Sequence, residues 1–202
     1  METNTFSRRQ LIQSASLLLA GSALPVSLLG QGHNSKSVNE PQPVYIPPGA
    51  GRKGKISRTD ITFKLDKTQT AGNLGSAEMI IPPGQLGAPP HYHKGFDEIC
   101  IVLKGTVHIM VEDEVFEVKE GGWHLRPRGM THTFWNSGKK NASVIELYAP
   151  GGHEYYMQDL AKLFENGARP NPTALQKLAS KYDIIFRFDK LDEVMKKYKV
   201  HL

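Results

Sequence analysis

Short apolar runs broken by Gly, Pro, Asn and Asp dominate the chain from about residue 60 to residue 148. They predict strands over 60–65, 77–81, 98–103, 106–111, 115–118, 123–126, 132–136 and 142–149. Val107, Ile109 and Val111 alternate with Thr106, His108 and Met110, which assigns the first set to the interior face of a sheet. Many short strands at regular spacing predict an all-β sandwich or barrel.

After Gly152 the period changes. Tyr156, Leu160, Leu163 and Phe164 recur at helical spacing and predict a helix over 153–165, stopped by Gly167. Asn171-Pro172 pairs an N-cap with proline at the first helical position and opens a helix to about Lys181. A short strand over 183–188 follows, then a last helix through Lys197 capped by Asp189 or Asp192. The chain thus divides into an export signal (1–31), a linker (32–43), a β-barrel (44–152) and a C-terminal helical extension packed on the barrel (153–202).

The export assignment rests on a charged start, an apolar middle and small residues after it. Ser7-Arg8-Arg9 makes that segment resemble a twin-arginine signal and implies a periplasmic or secreted protein. The apolar run is broken by Ser, Gly, Gln and Pro25, so no stable membrane span is expected after signal removal. The net charge of +5 is modest and its cations are scattered, with one lysine-rich cluster at 196–199. Nothing in that distribution argues for nucleic acid. Cys100, the single cysteine, lies among Ile99, Ile101 and Val102 and reads as a small buried hydrophobe.

Chemistry concentrates in two spaced clusters. The first reads His91-x-His93-x4-Glu98-x6-Gly105, the second Gly121-x5-Pro127-x-Gly129-x2-His132-x3-Asn136. Residues i and i+2 of a strand share a face, so His91 and His93 can aim both rings at one interior point. Glu98 is out of phase with them, and Lys94-Gly95 supplies the bend that brings it back. His132 opens another strand after the turn at Pro127-Arg128-Gly129. Three imidazoles and one carboxylate from three strand ends describe a mononuclear metal site with open positions. Glu98 is then a ligand, or a catalytic base that swings on and off the metal.

This pair of clusters resembles the two signature motifs of the cupin superfamily. The second motif is present at Gly121, Pro127, Gly129, His132 and Asn136. The first runs from His91 to Gly105 but carries Gln85 where an upstream glycine belongs. Tyr45 to Gly49, Ile80 to Gly84 and Ala149 to Gly152 extend the likeness to single-domain cupins called quercetinase-like. The resemblance implies a cupin (double-stranded β-helix, or jelly-roll) barrel with C-terminal helices that pack outside it or across a homodimer. It also implies one divalent metal ion on His91, His93, Glu98 and His132.

Other residues are assigned less sharply. Glu146 interrupts an apolar strand, so it meets Arg126 or Arg128, or enters the cavity. His124 reaches a second layer around the site or the pocket rim. Phe134 and Tyr148, with Phe96 and Met79, could wall a ligand cavity. His153 caps a helix or lines the mouth, His108 faces outward, and Asn136 ends a strand and turns the chain.

Three functions stay open. The resemblance implies a dioxygenase acting on an enol or phenolic, flavonol-like small molecule. The same site would serve an isomerase, lyase or decarboxylase of a small carbonyl or sugar acid. A non-catalytic periplasmic small-molecule-binding cupin is the third. Copper and zinc prefer an open N/O site by affinity, but a protein folded before export could take manganese or iron(II) in the cytoplasm. Manganese or iron is therefore favoured, while nickel, cobalt, copper and zinc remain compatible with these ligands.

Overall fold

A computed structural model describes residues 42–202. The proposed export signal and all but the last two residues of the linker lie outside the described residues. No helix among the described residues is long and apolar enough to cross a membrane.

Among the described residues, eleven strands form two antiparallel sheets. In chain order they are β1 (Arg52–Ile56), β2 (Thr59–Phe63), β3 (Gly75–Ile81), β4 (His91–His93), β5 (Asp97–Lys104), β6 (Thr106–Val111), β7 (Glu114–Lys119), β8 (Trp123–Arg126), β9 (His132–Trp135), β10 (Ala142–Ala149) and β11 (Ile184–Phe186). One sheet has the order β1-β2-β3-β10-β5-β8, the other β11-β4-β9-β6-β7. This is the expected β-barrel with C-terminal helices. The core between the sheets includes Ile61, Met79, Val102, Val107, Ile109, Phe134 and Val144. Each such buried side chain contributes roughly 1.5–3 kcal/mol.

The interior faces follow the period of two. Val107, Ile109 and Val111 are buried as predicted. Along β10, Ala142, Val144, Glu146 and Tyr148 face inward, while the alternate residues are half-buried. In β5 the inward residues are Glu98, Cys100 and Val102. Glu146 and Glu98 are therefore interior by register, on neighbouring strands that pair Glu98 with Tyr148 and Cys100 with Glu146.

Four elements after β10 wrap this framework. Helix α1 (His153–Leu163) lies against β1, where Ala161 approaches Gly54. Helix α2 (Pro172–Lys181) opens on Asn171, whose side chain accepts from Ala174 N at 2.8 Å, as the sequence indicates. Strand β11 adds itself to β4, pairing Phe186 with His91 and Ile184 with His93. Helix α3 (Leu191–Tyr198) covers the outer face of β6 and β9 with a cluster of Leu86, Met110, Trp135, Val194 and Val200. Trp135 stacks on Tyr198 at 4.3 Å. That cover explains why every residue of β9 is buried and why Met110, read as outward-facing, is buried too.

Several expectations need correction. Strand β1 was not foreseen; Arg52, Lys53 and Lys55 disguise it, and charge of that kind is tolerated on an edge strand. Helix α1 ends at Leu163 and passes through a short 3-10 turn at Glu165–Gly167. Neither Asp189 nor Asp192 caps α3. Lys190 occupies the cap without a side-chain bond, because the Asp189 carboxylate is bound by Arg187 at 2.8 and 3.0 Å.

Candidate metal centre

The two clusters meet because their strands are neighbours. His91 of β4 pairs directly with His132 of β9, and β5 brings Glu98 in from the facing sheet. The bend at Lys94-Gly95 carries the chain from one sheet to the other. Gly129, with a φ of 81°, turns the second motif so that its N–H donates to His93 O at 2.7 Å. Asp97 fastens the same loop, accepting from Arg128 N and Nε, each at 2.9 Å. Asn136 closes the far end of β9. Its amide donates to Ile81 O and Lys140 O, and its oxygen accepts from Gly138 N.

One potential ligand atom from each of His91, His93, Glu98 and His132 lies within 4.8 Å of all the others, and all four residues are buried. The Nδ1 atoms of His91, His93 and His132 lie 2.8, 2.8 and 3.0 Å from the carbonyl oxygens of Pro89, Phe96 and Met130. A carbonyl only accepts, so each Nδ1 carries the hydrogen and each Nε2 keeps its lone pair. Nε2 of His93 and of His132 are buried without a hydrogen-bond partner. They face Glu98 Oε2 at 3.8 and 3.1 Å. Acceptors converging on an acceptor are satisfied by a cation between them. The donor set therefore fits a divalent ion, with backbone carbonyls fixing the imidazoles from behind.

The surroundings tune Glu98. Burial alone would raise its carboxyl, but Arg126 and the histidine contacts outweigh that and hold it well below the usual carboxylate range. Arg126 is fully buried, its Nη1 3.1 Å from Glu98 Oε2 and its Nη2 hydrogen-bonded to Glu146 Oε2. One guanidinium thus serves two carboxylates. Burial pushes the Glu146 carboxyl up to about 7 against the pull of Arg126. Burial, then the neighbouring His132, holds His91 well below the ordinary imidazole value.

A cavity of about 800 Å³ opens onto this centre. His91, Glu98, Arg126, Glu146, Tyr148 and His153 line its inner end. Met79, Phe134, Met157, Leu160, Phe164, Leu175, Ile184 and Phe186 give it an apolar wall. Phe134 and Tyr148 line the space, and Glu146 both lines it and meets Arg126. Phe96 instead stacks on His93 at 3.7 Å. His124 is not among the lining residues; its ring packs against Phe116 at 4.6 Å, and burial lowers it to about 4.

Two residues gain weight that the sequence did not give them. His153, the first residue of α1, is buried with Nε2 3.4 Å from Glu98 Oε1. Arg126 stands opposite Glu98 in the β5–β8 ladder. The alternation of Trp123-His124-Leu125-Arg126 could have flagged Arg126 as inward-facing. His153 could be placed at the mouth from its position at the start of α1, but its approach to Glu98 depends on how α1 packs against β1 and β3.

Residues 77–148 match the family model for the cupin domain. An uncharacterized protein of Aquifex aeolicus (strain VF5) is 27% identical over 99 residues, covering 49% of this chain and 75% of that protein. A Myxococcus xanthus (strain DK1622) protein named Endoribonuclease YbeY is 30% identical over 104 residues, which is 49% of this chain but 35% of the relative. The chain therefore spans about a third of that second relative. Among solved structures, one described as a predicted oxalate decarboxylase from Thermotoga maritima aligns with a TM-score of 0.50 at 19% identity, covering 53% of this chain and 99% of that one. At this identity the likeness shows the fold.

Proposed function

We propose, from a cupin domain at residues 77–148 and a fold and site that support the cupin superfamily, that the chain is a metal-dependent dioxygenase of an enol or phenolic small molecule. His91, His93, Glu98 and His132 would hold the ion. When bound, it would supply Lewis acidity to a substrate oxygen and open positions for reactants.

The chain's own groups supply the rest. Glu98 stays ionised at neutral pH beside Arg126, so it is available to accept the enol or phenol proton. Its Oε1, turned toward His153 and away from Arg126 and His132, is the atom that takes it. Tyr148 and Phe134 bound the reacting end, and the α1, α2 and β11 side chains keep water from the substrate body.

The observation that carries this reading is the apolar wall of the 800 Å³ cavity. A sugar acid brings several hydroxyls whose burial against Leu160, Phe164, Leu175 and Phe186 would leave them unpaired, at a cost of roughly 1–3 kcal/mol each. An aromatic or enolic body carries no such penalty. The isomerase, lyase or decarboxylase reading draws its support from the polar inner end, where Glu146 and His153 could move a proton on a small carbonyl compound.

An oxygen-electrode screen of the metal-loaded protein against flavonols and small enols tests the proposal. Oxygen uptake matched to substrate loss is expected. Turnover unchanged under strict anaerobiosis would move the assignment to the isomerase class. Binding without product, equal in wild type and Glu98→Gln, would leave a binding module. Export to the periplasm is part of the same proposal, checked by fractionating the source cells. So is a homodimer, checked by light scattering.

A further inference from the structure

Glu146 has an oxygen to spare. It is 2% exposed, and Oε2 is taken by Arg126. Oε1 is buried with no hydrogen-bond partner. The same residue lines the cavity that reaches His91 and Glu98. Its position is fixed from three sides: it belongs to the inward face of β10, it pairs with Ala77 of β3, and it pairs with Cys100 of β5. Ala77 offers no side-chain donor, and the Cys100 thiol, which interacts with the Glu146 carboxyl, is a weak donor that a hydroxyl outcompetes. A buried carboxylate oxygen left unbonded costs roughly 1–3 kcal/mol or more, and such an atom is satisfied when a ligand brings the donor.

We propose that Glu146 Oε1 is the acceptor of a substrate subsite, taking a hydrogen bond from a hydroxyl next to the oxygen that faces the Glu98 cluster. The inference rests on the reading that this cavity takes the substrate. It narrows the substrate to an apolar, ring-sized or larger body whose reacting end carries an O–H donor. Glu146 is then a specificity-determining residue: it need not exchange a proton with substrate, and it penalises any analogue that lacks the donor. Arg126 keeps the carboxylate from rotating, because its two nitrogens are committed to Glu98 and Glu146 at once. His153 Nδ1, also buried without a partner and on a cavity-lining residue, gives the same end of the cavity a second unfilled polar position.

The test uses two probes with one apolar frame and one shared hydroxyl for the Glu98 cluster, 2,3-dihydroxynaphthalene and 3-methoxy-2-naphthol, which differ in the neighbouring O–H donor. Their dissociation constants are measured by fluorescence on the metal-loaded full chain, in wild type, Glu146→Gln and Glu146→Leu. Wild type should prefer the diol. Glu146→Leu should lose roughly tenfold of that preference, the weight of one buried hydrogen bond. Glu146→Gln, which keeps an acceptor oxygen, should retain more of it than the leucine variant. A purely structural role would weaken both probes together and leave the ratio unchanged, and that result overturns the proposal. If Glu146→Leu does not fold, a Glu146→Gln ratio equal to wild type alongside an unaltered preference in Glu146→Ala does the same. The binding ratio is read without turnover. A flat ratio with oxygen uptake intact removes the subsite alone, whereas an intact ratio without oxygen uptake removes the dioxygenase reading alone.

Discussion

Arg126 Nη1 lies 3.1 Å from Glu98 Oε2, and both residues are almost wholly buried. The arginine arrives from β8 and the glutamate from β5, paired by register. Removing the cation strands two interior carboxylates. Arg126→Met should therefore destabilise the metal-free chain by about 3–5 kcal/mol in urea unfolding. Adding a divalent metal should recover part of the loss, because the ion compensates Glu98 but not Glu146. An equal loss with and without metal would separate Arg126 from the centre.

A second carboxylate does structural work at the edge of the site. Glu154 is completely buried, its Oε1 accepting from Lys67 N at 2.9 Å and its Oε2 from Gly152 N at 2.7 Å. It ties the start of α1, and with it His153, to the loop before β3. Glu154→Gln keeps the volume but turns one acceptor into a donor facing an N–H. The expected cost is about 1–3 kcal/mol, read as a shifted urea midpoint. Gly75→Ala should act on the same contact, since its Cβ would fall on the Glu154 carboxylate.

Acid should loosen the join between the two motifs. Hydrogen bonds from Arg128 hold Asp97 at about 2, below its ordinary 3.8. A depressed folded value stabilises the native state above the unfolded value, and the contribution fades as pH falls through the folded value. Stability should thus drop between about pH 4 and pH 2 more in wild type than in Asp97→Asn. Parallel urea midpoints from pH 5 to pH 2.5 measure this. The pair is partly exposed, so the difference should shrink in high salt.

The sequence was most legible where one period ruled. Val107 to Val111 and the Asn171 cap could be read directly, because alternation and capping chemistry are local. So could the convergence of His91, His93, Glu98 and His132, which needs two strand pairings and one bend. Strand β1 was hidden by its edge lysines. The burial of Met110 and all of β9 depends on α3, more than fifty residues further along, and no local period carries it. Arg126 serving Glu98 as well as Glu146 required the β5–β8 register. His153 required the path of the chain after β10. What escaped was in each case set by contacts distant in sequence.

His91, His93, Glu98 and His132 are placed to share one cation. Elemental analysis of protein purified from its own source, beside a His93→Ala/His132→Ala variant, tests it most directly. One manganese or iron per wild-type chain and a nearly empty variant are predicted. Wild type without a bound ion after metal loading, or a variant that retains its metal in full, would contradict it.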